Sequence, residues 1–305
     1  MPNIRLDGKV AVVTGAGGGL GRTHALLLAS RGAKVVVNDL GGAVDGSGKG
    51  TSMADHVVEE IRKAGGEAVA NYDNVATAEG GKGIIDTAVK TFGRIDILIN
   101  NAGILRDKSF ANLTEEMWDA VVAVHLKGAY NCTKPAYDLM KAQSYGRIVF
   151  TTSGTGLFGN FGQTNYGAAK LGLVGFANSL RQEGAKYNIT CNTIAPIAIT
   201  RMTENLMTGV PADLFAPELV SPLVVYLVSD ACGLSGQVFV VGGGMVARAF
   251  IGETHGAYTN HKTAAPTPEW VADHIDQIMD TKDYTIPQGV QEDTLKVVQL
   301  MQKGS

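Results

Sequence analysis

The chain has 305 residues, of which 45% are hydrophobic and 18% are charged, and its formal net charge is -3. A chain of this length buries a large core, either as one domain or as a domain with an appendage. The weak negative charge gives no basic footprint for nucleic acid, and no apolar run approaches the roughly 18 residues of a membrane span. Composition therefore predicts a globular protein that binds neither nucleic acid nor a membrane.

The three cysteines, Cys132, Cys191 and Cys232, are odd in number and far apart. This spacing fits neither a disulfide framework nor a zinc site, and no metal site is expected. We expect buried thiols in a reducing compartment. The N-terminal residues do not form a signal peptide, and the last residues are not a Ser-Lys-Leu address, so we expect a cytoplasmic protein, or a peroxisomal one if it belongs to a larger targeted enzyme.

Short β-branched runs alternate with longer helical patterns along most of the chain. The predicted strands cover Val10 to Val13, Val35 to Val37, Ala68 to Ala70, Ile95 to Ile99, Arg147 to Thr151, Ile189 to Ile194 and Val238 to Val241. Such alternation is typical of βαβ units around a parallel sheet that is buried on both faces. The predicted fold class is therefore α/β, a doubly wound parallel sheet of the Rossmann type with a C-terminal helical extension.

A glycine-rich string runs from Thr14 to Gly21, directly after the first predicted strand and before an apolar helix. In this context glycines bind a dinucleotide: Gly15 permits a tight turn, Gly19 lets the backbone reach a pyrophosphate, and Gly21 lets the helix pack closely on the strand. The N-terminus of the helix then binds the phosphates.

The second predicted strand ends at Asp39, 18 residues after Gly21. A carboxylate at this place accepts hydrogen bonds from the adenosine ribose and repels a 2'-phosphate, which favours NAD over NADP. Arg22, just after the last glycine, leaves a phosphate contact open. Residues 41–50 follow as a glycine-rich insertion that we expect to be a flexible loop.

Two further strand ends carry candidate cofactor contacts. Asp73 follows the third predicted strand and is suited either to the adenine amino group or to capping the next helix. Asn101, Ala102 and Gly103 follow the fourth strand, at the edge where ligands of doubly wound sheets lie. Small residues there allow the nicotinamide ring to pass close to the backbone.

Tyr166 and Lys170 are four residues apart, and Ser153 lies thirteen residues before the tyrosine. The four-residue spacing places Tyr166 and Lys170 one turn apart on one helix face, where the ammonium group stabilises the phenolate and lowers its pKa from about 10. Ser153 is suited to hold the substrate oxygen against the tyrosine hydroxyl. This trio predicts an oxidoreductase that moves a hydride to or from a nicotinamide.

Beyond about Ile251 the alternation of strands and helices stops. Thr267 and Pro268 are a helix cap and first position, and a further helix is expected from Glu292 to Gln302. We therefore predict two domains: 1–250, which binds NAD and contains the catalytic site, and 251–305, a C-terminal extension. The extension is expected to be a lid, a dimer contact or a linker.

These motifs occur in the order and spacing of the short-chain dehydrogenase/reductase family, and residues Leu6 to about Met245 are similar to it. Longer strings, such as Asn101 to Phe110 and Gly159 to Gly172, resemble the (3R)-hydroxyacyl-CoA dehydrogenases of this family. The resemblance implies oxidation of a 3-hydroxyacyl-CoA to the 3-ketoacyl-CoA with NAD in fatty-acid β-oxidation. It also implies a homodimer that pairs helices Ala120 to Lys141 and Gly167 to Glu183, and an enoyl-CoA hydratase as a partner.

The resemblance gives roles to matched residues. Tyr166 is the base, Lys170 binds the ribose, Ser153 orients the substrate and Thr200 holds the nicotinamide carboxamide. His125 stands where most of the family has Asn, so either a proton relay or simple helix packing is open. The implied cofactor-binding residues are Gly15, Gly19, Leu20, Gly21, Asp39, Asp73, Asn74, Val75, Asn101, Ala102, Gly103, Tyr166, Lys170 and Thr200.

Other interpretations stay open at this stage. The substrate is an acyl-CoA by resemblance alone, and a steroid or another secondary alcohol is the alternative. Arg106 or Lys108 is a candidate contact for CoA phosphates. A nucleotide-sensing module without chemistry is disfavoured, because it has no need of Ser153, Tyr166 and Lys170.

Overall fold

The computed structural model describes residues 3–203, 211–260 and 263–303. They form two compact units, Met1–Arg248 and Ala249–Ser305. The strands are β1 (Val10–Thr14), β2 (Lys34–Asn38), β3 (Ala68–Asn71), β4 (Ile97–Asn100), β5 (Gly146–Thr151), β6 (Ile189–Pro196), β7 (Val238–Gly242), β8 (Met245–Ala249), β9 (Glu253–Thr254) and β10 (Tyr284–Thr285). The α-helices are α1 (Gly19–Ser30), α2 (Ser52–Lys63), α3 (Ala78–Phe92), α4 (Glu115–Val122), α5 (Gly128–Gln143), α6 (Gly154–Phe158), α7 (Thr164–Gly184), α8 (Ser221–Leu227), α9 (Pro268–Asp273), α10 (Ile275–Ile278) and α11 (Val290–Lys303).

The main sheet has the order β3-β2-β1-β4-β5-β6-β7-β8. The pairs from β3 to β7 are all parallel, in register over the residues that the sequence predicts. The predicted α/β fold with a doubly wound parallel sheet is therefore confirmed. The sequence did not predict β8 at the edge, because its first four residues are exposed and show no alternation of buried and exposed positions.

Alternate residues of the strands enter two cores, one on each face of the sheet. In β1, Ala11 and Val13 pack into one core with residues of α1, α2 and α8. Val10 and Val12 point the other way, into a second core with residues of α3, α5 and α7. Two-sided burial explains why these strands are almost entirely apolar. Because the strands from β3 to β7 run parallel, their carboxyl ends lie at one edge of the sheet.

The predicted helix from 120 to 141 is interrupted. Between α4 and α5, Ala123–Lys127 form one π-helical turn, and His125 lies in its middle. A π-turn inserts one extra residue into a helix and is often found at functional sites. Hydrophobic spacing alone did not reveal it.

The glycine-rich insertion closes on itself. The Gly50 amide donates to the Leu40 carbonyl at 2.8 Å, and the Ala43 amide donates to the Ser47 carbonyl at 2.7 Å. The insertion also contacts the segment after β4, because the Leu105 amide donates to the Val44 carbonyl at 3.0 Å. The loop expected to be flexible is thus held at both ends and in its middle.

In the second unit, β9 pairs antiparallel with β10. The Thr267 hydroxyl caps α9 by accepting from the Trp270 amide at 3.1 Å, and Pro268 takes the first helical position, as predicted. Lys296 of α11 donates to the Glu253 carboxylate at 2.6 Å and to the Thr254 carbonyl at 2.7 Å. These bonds hold the last helix on the small sheet.

The cysteines are free and buried, as predicted. Within the described residues, none of the helices is both long and apolar enough to cross a bilayer.

Candidate active site

A cleft of about 440 Å3 opens at the carboxyl ends of the central strands. It lies at β1 and β4, where the strand order reverses, the position at which open α/β sheets bind ligands. Its walls include the predicted catalytic residues Ser153, Tyr166, Lys170 and His125. They also include all but one of the predicted cofactor-binding residues: Gly15, Gly19, Leu20, Asp39, Asp73, Asn74, Val75, Asn101, Ala102, Gly103 and Thr200.

The exception is Gly21, which lies beneath the glycine loop. A Cβ atom on Gly21 would lie 2.2 Å from the Gly15 carbonyl oxygen, and one on Gly15 would lie 2.7 Å from Cα of Ala102. Gly15 also has a φ of +63° and Gly19 a φ of +50°, which disfavour other residues. The glycines therefore allow a tight turn and close packing, and they leave an open cradle for a ligand.

Asn101 and Thr14 tie this loop to the end of β4. The Asn101 side chain donates to the carbonyl oxygens of Thr14 and Gly15 at 3.0 and 3.1 Å. The Thr14 hydroxyl accepts from the Asn101 and Ala102 amides at 3.0 and 3.1 Å. Sequence reasoning did not single out Thr14, although a threonine at the end of a strand before a glycine loop was a usable signal.

The N-terminus of α1 faces the cleft without a side-chain cap, since the capping residue is Gly18. The first amide groups of a helix attract anions, because they lack partners and carry the positive end of the helix dipole. Asp39 stands beside this point, where its carboxylate accepts from the Gly17 amide at 2.8 Å and the Gly41 amide at 2.7 Å. A diphosphate and an adjacent ribose fit this donor and acceptor set.

Arg22 and Asp73 had two open interpretations each. The Arg22 guanidinium forms a two-point ion pair with Glu60, with Nε 3.1 Å from Oε1. Asp73 does not cap α3, because Thr77 does so by accepting from the Gly80 amide at 3.0 Å. The capping interpretation of Asp73 is therefore wrong. Asp73 lines the cleft, and its carboxylate accepts from the Asn71 side chain at 2.8 Å.

Ser153, Tyr166 and Lys170 converge at the other end of the cleft. Ser153 is the N-cap of α6 and accepts from the Thr155 amide at 3.2 Å. Tyr166 and Lys170 share the first turns of α7, and Nζ of Lys170 lies 5.4 Å from the centre of the Tyr166 ring. The Lys170 ammonium donates to the Thr151 carbonyl at 2.5 Å.

Burial dominates the electrostatics of this trio. It lowers the pKa of Lys170 to about 7. Burial raises the pKa of Tyr166, while a hydrogen bond with Ser153 lowers it and the Asp107 carboxylate raises it. The predicted lowering of the Tyr166 pKa is therefore wrong for this state, because desolvation outweighs the Ser153 hydrogen bond and Lys170 is turned toward Thr151.

His125 is buried against Tyr166. The two rings meet edge to face, with centres 5.1 Å apart and an angle of 87°. Nε2 of His125 lies 3.0 Å from the Ile104 amide nitrogen and 2.8 Å from its carbonyl oxygen. Burial and the Lys170 charge hold the His125 pKa well below its ordinary value, so the ring is neutral. Its other nitrogen, Nδ1, has no hydrogen-bond partner among the described residues.

A chain of hydrogen bonds that sequence reasoning missed supports the trio. The Gln163 side chain donates to Asp107 at 2.7 Å and accepts from the Thr155 hydroxyl at 2.9 Å. Asn160 donates to the same Gln163 oxygen at 3.0 Å. These bonds join the segment after β4 to α6, which carries Ser153 at its start. No spacing rule in the sequence pairs Asp107 with Gln163.

Of the two cations considered for CoA phosphates, Arg106 lines the cleft and Lys108 does not. Nε of Arg106 donates to the Asp45 carbonyl at 3.0 Å, so this side chain is attached to the insertion. A contact from either residue to CoA stays a prediction.

A glycine-rich nucleotide cradle and a Ser-Tyr-Lys trio in one cleft define an oxidoreductase that uses a nicotinamide cofactor. The chain belongs to the short-chain dehydrogenase family, since the model described as "short chain dehydrogenase" matches residues 9–210.

Individual relatives agree with this assignment. The chain is 50% identical over 300 residues to the peroxisomal multifunctional enzyme type 2 of Mus musculus, covering 98% of this chain and 40% of the mouse protein. It is 50% identical over 281 residues to the peroxisomal hydratase-dehydrogenase-epimerase of Saccharomyces cerevisiae, covering 92% of this chain and 31% of the yeast protein.

A solved structure, the full-length peroxisomal multifunctional enzyme type 2 of Drosophila melanogaster, is similar with a TM-score of 0.83 and 39% identity. The match covers 98% of this chain and 50% of the fly chain. The chain thus spans half or less of the length of each of these three relatives.

Proposed function

We propose that this protein oxidises a (3R)-3-hydroxyacyl-CoA to the 3-ketoacyl-CoA, with NAD as hydride acceptor, as a step of fatty-acid β-oxidation. The observation that carries this proposal is the placement of Ser153, Tyr166 and Lys170 in the same cleft as the glycine loop. The names and identities of the mouse and yeast relatives support the substrate class.

Tyr166 acts as the general base that takes the proton of the C3 hydroxyl group. Ser153 binds the C3 oxygen and holds it against the tyrosine hydroxyl; both residues line the cleft. Lys170, charged when it gains an anionic neighbour, stabilises the phenolate and binds the ribose. When bound, NAD accepts the hydride from C3.

His125 relays the proton onward from this site. Its neutral ring lies against Tyr166, and Nδ1 is a buried polar atom to which no described residue forms a hydrogen bond. Buried polar groups in proteins are normally paired, often with water. An ordered water at Nδ1 is the link that a relay requires.

The cofactor is NAD rather than NADP because of the charges at the ribose end of the cleft. The Asp39 carboxylate lies beside the helix terminus, where it repels a 2'-phosphate and accepts from ribose hydroxyls. Arg22, which directly follows the glycine loop, is already paired with Glu60. Asp73, Asn74 and Val75 line the adenine side, and Thr200 holds the carboxamide.

The acyl-CoA assignment is tested by comparing turnover of two classes of substrate. Purified protein with NAD is offered 3-hydroxyacyl-CoA esters of short, medium and long chain, and separately a panel of hydroxysteroids, with NADH formation as the readout. We expect turnover of the CoA esters. Turnover of steroids alone would contradict the assignment and favour a dehydrogenase of other secondary alcohols.

Residues 1–250 form the dehydrogenase domain, and 251–305 serve as a lid, a dimer contact or a linker. A hydratase is the expected partner, since the yeast relative is named for both activities.

We also expect a homodimer through α5 and α7. Val174 and Ala177 of α7 are buried within the protomer, whereas Leu171 and Gly175 of the same helix are exposed. Sedimentation velocity measures this directly: a monomer at micromolar concentration would contradict it.

A further inference from the structure

Arg201 lines the cleft, and the mechanism above does not use its charge. It lies in a tight turn closed by the Thr203 amide, which donates to the Thr200 carbonyl at 2.9 Å. The Thr203 hydroxyl pins this turn by donating to the Ala198 carbonyl at 2.6 Å. The turn therefore holds the backbone of Arg201 in place at the mouth of the cleft.

The guanidinium of Arg201 reaches the N-terminus of α1. A Cβ atom on Gly18 would lie 3.6 Å from its Nη2 atom. Thr200 contacts Gly19, since a Cβ atom on Gly19 would lie 3.3 Å from the methyl group of Thr200. The turn thus packs against the glycine loop and places the Arg201 guanidinium near the amide groups at the N-terminus of α1.

The guanidinium of Arg201 has one hydrogen-bond partner among the described residues. Within the described part of the chain, no ion pair involves Arg201, and its hydrogen-bond partner is the Met53 sulfur at 3.8 Å. The other cations of the cleft donate to backbone carbonyl groups, Lys170 to Thr151 and Arg106 to Asp45. Sulfur is a weak acceptor, so the five donors of Arg201 are almost entirely unsatisfied by the residues that the structure describes.

We infer that Arg201 binds the diphosphate of the nicotinamide cofactor, from the side opposite the N-terminus of α1. A guanidinium matches the geometry of a phosphate better than any other side chain. With the helix amides on one side and Arg201 on the other, both charges of the diphosphate meet a donor. This inference rests on the proposed nicotinamide cofactor.

The test measures binding without turnover. NADH, ADP-ribose and adenosine are titrated against the wild-type protein and the variants Arg201→Ala and Arg201→Lys, with calorimetry and displacement of NADH fluorescence as readouts. We expect Arg201→Ala to weaken NADH and ADP-ribose about 10-fold and to leave adenosine, which has no phosphate, unchanged. Arg201→Lys is expected to recover part of the loss.

Arg22→Gln is the matched control, because it removes the same charge near α1 from a side chain that is already paired. It is expected to change NADH binding less than twofold. Unchanged NADH affinity in Arg201→Ala would overturn the inference, as would an equal loss for adenosine. A raised KM for acyl-CoA, but not for an acyl-pantetheine thioester, with NADH binding intact would also overturn it and assign Arg201 to the CoA phosphates. A wild-type protein that bound neither NADH nor NADPH would overturn the proposed function together with this inference.

Discussion

The rings of His125 and Tyr166 pack edge to face, with their centres 5.1 Å apart and their planes at 87°. His125 reaches this place because the helix makes a π-turn at Ala123–Lys127. Gly103 leaves room for it, since a Cβ atom there would lie 2.3 Å from Cε1 of His125. A neutral imidazole is thus held between the predicted base, Tyr166, and Gly103, which follows β4.

Removal of the Tyr166 hydroxyl is expected to abolish chemistry and leave cofactor binding. Tyr166→Phe keeps the ring that packs on His125 and removes the hydroxyl group that we propose as the proton acceptor. We expect kcat to fall by about 10^3-fold, within the range of general acid–base catalysis, while the Kd for NADH changes less than about threefold. A variant that keeps near wild-type kcat would show that Tyr166 is not the base.

A pair of variants separates proton relay from packing at His125. His125→Asn keeps a hydrogen-bonding group, and His125→Leu keeps the volume alone. If His125 relays a proton, kcat is expected to fall about 50-fold in His125→Leu and less than about 10-fold in His125→Asn. NADH binding is expected to be retained in both variants.

Both variants are expected to lose about 1 to 3 kcal/mol of unfolding free energy, because Ile104 loses a buried partner. This loss is common to both interpretations, so thermal unfolding is the control for folding. A fully active His125→Leu protein would reduce the role of His125 to packing.

Lys170 is expected to carry a stability cost that depends on pH. Burial lowers its folded-state pKa to about 7 from 10.5, so the unfolded chain binds the proton more tightly. The loss of unfolding free energy that Lys170 causes is therefore complete below pH 7, and it disappears as the pH rises through 10.5. Lys170→Met is therefore expected to be more stable than wild type by about 2 kcal/mol at pH 6, with a shrinking difference toward pH 10, and to be inactive.

Lys82→Met is the control for this experiment, because Lys82 is an exposed partner of Asp86. It should show no comparable gain at low pH. Urea unfolding at pH 6, 8 and 10 gives the three differences. A Lys170→Met protein that is less stable than wild type at pH 6 would contradict the pKa of about 7.

Asp39 is expected to set the cofactor preference. Asp39→Ser removes the charge that opposes a 2'-phosphate, so the ratio of kcat/KM for NAD to that for NADP should fall at least about 10-fold. Asp45→Ser removes an exposed carboxylate from the neighbouring insertion and should leave the ratio unchanged. Equal ratios in wild type and Asp39→Ser would assign the preference to another residue.

The sequence predicted the parallel strands of the sheet and the residues that surround the cleft, because β-branched runs and glycine positions report directly on backbone geometry. The exposed strand β8 and the π-turn at His125 have no such local signal. The bond from Gln163 to Asp107 joins residues 56 positions apart, and nothing in their spacing indicates it.

The pKa of Tyr166 shows a different limit of sequence reasoning. A spacing of four residues places Lys170 near the phenol, but it gives neither the depth of burial nor the direction of the ammonium group. The structure turns that group toward the Thr151 carbonyl, and desolvation then determines the sign of the shift. Arg201 was missed for a related reason, since its role depends on a turn that brings it to a distant helix.

The most direct test of the account is the rate at which the nicotinamide is reduced with separate (3R)- and (3S)-3-hydroxyacyl-CoA, measured as absorbance of NADH with NAD and of NADPH with NADP. The account predicts turnover of the (3R) ester with NAD, and little or none with the (3S) ester or with NADP. Turnover of the (3S) ester alone, or silence on both esters in a protein that binds NADH, would contradict it.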